Sequence, residues 1–99
     1  MKILKKDFKA WLKSKDDGDR VGTSSTTTSC PIAHYARETF DLKRSQVDIS
    51  MFFIELGGDT RETPQWAAKF IASVDQDNGN GGTITNKKIT KEQALGYLG

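Results

Sequence analysis

The stretch Cys30-Pro31-Ile32-Ala33-His34-Tyr35-Ala36-Arg37-Glu38-Thr39-Phe40 constrains the fold more than any other part of the chain. Pro31 suits the first position of a helix, where its missing N–H costs nothing and its fixed φ is already helical. Ile32, Tyr35, Ala36 and Phe40 recur at three- and four-residue intervals and make one apolar face. His34, Arg37, Glu38 and Asp41 populate the other side. A helix of about ten residues is not stable by itself in water, so the rest of the chain has to cover that face.

The candidates to cover it are legible as periodic segments. Residues 3–14 read as an amphipathic helix, with Leu4, Phe8, Trp11 and Leu12 inward and Lys5, Lys6, Lys9 and Lys13 over much of the remainder. Thr63 followed by Pro64 predicts a cap and a first helical turn. Trp66, Ala67, Phe70, Ile71 and Val74 then follow at helical spacing to an end near Asp75. Trp66, Phe70, Ile71 and Val74 are expected to pack on Ile32, Tyr35, Ala36 and Phe40, with Leu4, Phe8 and Trp11 closing one side. Thr90 and Gln93 have the spacing of a capping box and open a short last helix carrying Ala94, Leu95 and Leu98.

Strand signals are weaker. Val47, Ile49 and Met51 alternate with Asp48 and Ser50, as in a half-buried strand. The run Met51-Phe52-Phe53-Ile54 then reads as a strand covered on both faces or a register change at a bulge, ended by Gly57-Gly58-Asp59. A short strand at Thr83-Ile84-Thr85 is expected to pair with residues 47–51. Between the first two helices, residues 15–29 hold a charged turn and seven consecutive hydroxyl residues, Thr23 to Ser29. Such a run makes turns and caps but packs poorly, so 15–29 is expected to be a polar loop, mobile or functional. The expectation is an α+β fold: one domain over residues 1–99, with about four helices packed on a two- or three-stranded antiparallel sheet.

Composition narrows the function classes. Ninety-nine residues suit one domain with a modest core. A formal net charge of +2 does not by itself mark a nucleic-acid partner. Cys30 is the one cysteine, which excludes an intrachain disulfide. No apolar run resembles a signal peptide or spans a bilayer. A cytoplasmic protein without a membrane partner is the expectation.

Motifs for catalysis are sparse. Cys30 and His34 share a face at a helix N-terminus, the spacing of a Cys–His nucleophile pair. There is no second histidine, so a structural thiol is the expectation for Cys30, and the pair is too few ligands for zinc. Asp75-x-Asp77-x-Gly79-x-Gly81 follows a helix in the manner of a calcium loop. Its fifth, sixth and twelfth positions are Gly79, Asn80 and Asn86, where a ligand, a glycine and a glutamate belong. No P-loop is present. The chain is therefore expected to be no enzyme, with no catalytic residues, metal or cofactor. The residues singled out for binding are Lys5, Lys6, Lys9 and Lys13 with His34 and Arg37. The functional expectation is a small protein-interaction or regulatory module, an inhibitor or adaptor from a mobile element being one form, with an unknown protein partner. The alternative is weak nucleic-acid binding through the basic face of the first helix. Monomer and homodimer are both open.

Overall fold

Three of the helices meet at Phe8. The computed structural model describes residues 2–23, 28–80, 83–84 and 88–99, with side chains over 2–23, 28–74 and 88–99. Its helices are α1 (Lys5–Lys13), α2 (Pro31–Phe40), α3 (Gln65–Asn78) and α4 (Lys91–Leu98). The strands are β1 (Arg20–Thr23), β2 (Val47–Ile49), β3 (Phe53–Leu56), β4 (Asp59–Glu62), β5 (Gly79–Asn80), β6 (Thr83–Ile84) and β7 (Lys88–Thr90). They pair antiparallel in three small sheets, β1·β7, β2·β3·β4 and β5·β6. The architecture is the compact α+β domain that the sequence predicts.

Phe8 is fully buried, and its ring centroid lies 5.6 Å from Tyr35 of α2, 5.6 Å from Trp66 and 5.2 Å from Phe70 of α3. Edge-to-face and tilted pairs at these separations add to the area buried. The expected union of α2 with α3 is therefore made through α1, whose Phe8 stands between Tyr35 and Phe70 instead of closing a side. Leu4 departs from its expected place as well. It is the extended residue preceding α1 and is 49% exposed, while Ile3 takes the buried position. Val21, Val47, Ile49, Ile54, Leu56, Ile89, Ala94 and Leu98 complete one continuous core.

Several boundaries follow the predicted caps. Cys30 is the N-cap of α2, its Sγ accepting from the Ala33 N–H at 3.4 Å, and Pro31 is N1. Thr90 caps α4 with a reciprocal box to Gln93. Helix α3 begins one residue later than the predicted Thr63 cap and Pro64 first position imply. The Thr63 hydroxyl donates to the Ser50 carbonyl at 2.8 Å, and α3 starts at Gln65. At its other end α3 runs on to Asn78 rather than stopping near Asp75.

Three strand expectations change. The stretch 15–29 is not loop throughout, because Arg20–Thr23 forms β1 and pairs with β7; residues 24–27 lie outside the described set. A side chain at Gly22 would meet the Pro31 and Cys30 backbone at 2.5–2.8 Å, so only glycine lets β1 lie this close to the start of α2. The stretch 47–56 is not one strand but the β2–β3 hairpin, and Asp59–Glu62 adds β4. Gly57 and Gly58 have φ of 57° and 89°, which closes the two-residue β3–β4 turn. Finally, Thr83–Ile84 pairs with Gly79–Asn80, not with the stretch from residue 47.

Candidate functional site

The β2–β3 hairpin folds the way it does because Ser50 stops the alternation. Its Oγ accepts from the Phe53 N–H at 3.0 Å and the Phe52 N–H at 3.3 Å. The Ser50 N–H in turn donates to the Phe53 carbonyl at 3.0 Å. This hydroxyl-closed turn reverses the chain at 50–53. The Thr63 hydroxyl bond to Ser50, and a Thr63 N–H to Phe52 carbonyl bond at 3.1 Å, tie the turn to the start of α3. Alternation then buries Val47, Ile49, Ile54 and Leu56 on the inner face.

The three side chains left at the tip have nowhere to go but water. Phe52 is 71% exposed, Phe53 60% and Met51 41%. The sequence leaves this run as a strand covered on both faces or a register change at a bulge; the structure instead reverses the chain there and leaves the three side chains exposed. The signal that separates the two readings is Ser50, a turn former placed where the alternation changes phase.

Phe53 also belongs to the outer face of the sheet. Asp48, Ser50, Phe53, Glu55 and Thr60 line a shallow depression of about 320 Å³ there. Asp48 stands directly opposite Glu55 in the register, and Phe53 opposite Glu62. On the inner side, an apolar groove of about 390 Å³ runs between Ile3–Leu4 and Ile54–Leu56, with Trp66 in its wall. The Arg61 Nε–Asp59 Oδ2 pair, 2.8 Å, lies on β4 at its rim.

The residues singled out from the sequence divide into two groups. Lys5, Lys6 and Lys13 are exposed along α1 and Lys9 is half-buried. None of the four takes part in an ion pair among the described residues. His34 and Arg37 lie half-buried on α2. Burial is the main cause that holds the His34 pKa below its ordinary value, followed by the charges of Arg37, Arg20 and Arg44, with Glu38 opposing them. The four lysines thus belong to α1, and His34 and Arg37 to α2.

Cys30, the N-cap of α2, is buried. The ion-binding question at Asp75–Gly82 falls on side chains outside the described residues. Among the described residues, no group of three or more His, Cys, Asp or Glu is placed to hold a metal, and no helix is long and apolar enough to cross a membrane. The chain matches no protein-family model, no curated protein and no solved structure.

Proposed function

We propose that the chain is a protein-interaction module that acts by docking a partner on the tip of the β2–β3 hairpin. One observation carries the reading: Met51, Phe52 and Phe53 are consecutive, large, apolar and exposed. Isolated exposed apolar residues are ordinary, but a contiguous aromatic cluster marks an interaction surface. Aromatic side chains supply a disproportionate share of binding energy at interfaces. The hydrogen bonds from Ser50 and Thr63 fix the tip before any partner arrives, which lowers the ordering cost of binding.

The test is capture from a lysate of the source cell, using the immobilised native chain beside a Phe52→Ser/Phe53→Ser variant with an unchanged melting profile. The native chain retains a stoichiometric protein at low and moderate salt, and the variant loses it. No stoichiometric partner, or equal capture by the variant, rejects the reading.

A second reading, weak nucleic-acid binding, is supported by the four α1 lysines that carry no described ion pair. Each phosphate contact on B-DNA adds about 0.9 to the salt slope. Replacing Lys5, Lys6 and Lys9 together by Ala then weakens binding and flattens that slope in a titration. Absence of binding in dilute salt removes this reading.

A further inference from the structure

We propose that the partner presents a cationic, apolar segment, and that it lies across the outer face of the β2·β3·β4 sheet over Phe53, Asp48 and Glu55. The proposal rests on the reading of the hairpin tip as a docking site and names the partner's chemistry.

The register makes the case. Asp48 and Glu55 are exposed and directly opposite each other on neighbouring strands. Like charges in that position oppose the pairing of their own strands. Neither carboxylate takes part in an ion pair among the described residues, nor does Glu62, which stands opposite Phe53. The cation of this sheet, Arg61, pairs with Ile54, which is buried on the inner face, and is held by Asp59. The outer face therefore joins a carboxylate pair without an ion pair among the described residues to an exposed phenylalanine in one depression.

A lysine or arginine side chain fits both halves of that surface. Its methylene stem covers an aromatic ring while its charged head reaches the carboxylates. An arginine also stacks favourably on the ring itself. Apolar neighbours in the same segment then cover Phe52 and Met51. Nucleic acid and anionic lipid are excluded from this face by like charge, so its selectivity has a repulsive as well as an attractive part.

The experiment is an amide-shift titration of the native chain with two short soluble peptides, one alternating Lys and Leu, the other Glu and Leu. The Lys–Leu peptide shifts the amides of Asp48, Phe53 and Glu55, and the Glu–Leu peptide leaves them in place. Asp48→Asn/Glu55→Gln weakens the Lys–Leu peptide by about tenfold or more, equivalent to about 1.4 kcal/mol. Equal effects of the two peptides, shifts confined to other acidic residues such as Asp16 and Asp17, or unchanged affinity in the double variant would overturn the proposal. Self-association of the native chain that the double variant abolishes overturns it too, by giving the face to a second copy. The captured partner separates this proposal from the one beneath it. If Phe52→Ser/Phe53→Ser loses the partner and Asp48→Asn/Glu55→Gln keeps it, the docking tip stands and its cationic partner falls. If Phe52→Ser/Phe53→Ser keeps it, both fall.

Discussion

Phe8 and Phe52 are the same side chain put to opposite uses. Phe8 touches Trp11, Tyr35, Trp66 and Phe70 and has no exposed surface. Phe52 is held by its backbone at the end of a hairpin, with most of its ring in water. The first contributes to folding through every ring it meets. The second contributes little to folding and exposes apolar surface that stability alone would remove. The contrast teaches that aromatic content in a small domain has to be apportioned between buried and exposed positions before it is counted toward stability.

Breaking the cohesive side gives the largest effect. Phe8→Ala is expected to lose about 3–5 kcal/mol in a denaturant titration, from transfer energy plus the cavity left behind. That is a large part of the roughly 5–15 kcal/mol available to a domain. A loss near 1 kcal/mol would mean that Phe8 is not the hub. Gly22→Ala comes next, at about 1–3 kcal/mol, because the new methyl overlaps backbone atoms that cannot rotate away. A melting temperature equal to native would show that β1 does not lie so close to α2.

On the exposed hairpin the signs change. Asp48→Asn is expected to raise stability by about 0.2–1 kcal/mol by removing the repulsion from Glu55. That gain shrinks as salt is added, and a loss of stability would place a cation beside Asp48. Phe52→Ser should leave stability within about 0.5 kcal/mol of native; a melting curve shifted as far as that of Phe8→Ala would bury the tip and erase the contrast.

The smallest expected effect is a pH slope. His34 binds its proton less readily in the folded chain than at the ordinary 6.5, so the unfolded chain takes up the proton first. Its contribution is complete above that value and is lost as the pH falls through the folded pKa. Replacing His34 by Asn flattens the stability profile below pH 6.5. An unchanged profile would assign the slope to other groups.

The starts of α2 and α4 were legible because each carries its own punctuation. Pro31 after Cys30, and Thr90 three residues before Gln93, are local signals that tertiary packing did not override. Phe8 was legible as buried but not as central, because helical phase says which side faces inward and nothing about which helix faces it. The tip was misread for a related reason. An apolar run cannot state whether a neighbour exists to cover it, and only the folded chain shows Met51, Phe52 and Phe53 exposed beyond the β2–β3 pairing. Similarly, β1 and β7 have little strand signal of their own, and each is defined by the other.

That last pairing sets the order in which the molecule can be made. β1 bonds to β7 in the register Arg20 to Thr90, and the Lys91 N–H donates to the Asp19 carbonyl at 2.9 Å. The Lys91 ammonium reaches the Lys15 carbonyl at 2.7 Å, while the Glu92 carboxylate accepts from the Gly18 N–H at 2.8 Å. Every one of these links closes most of the chain into a loop, and contacts of such separation form late and slowly. On the ribosome, α1, β1 and α2 emerge long before β7 and α4 exist to seat against them. The growing chain therefore carries an unfinished core until β7 and α4 are present, and in that interval Gly22 lacks its register partner Ile89. Completion of the core is thus set by the formation of β7 and α4 rather than by that of α1.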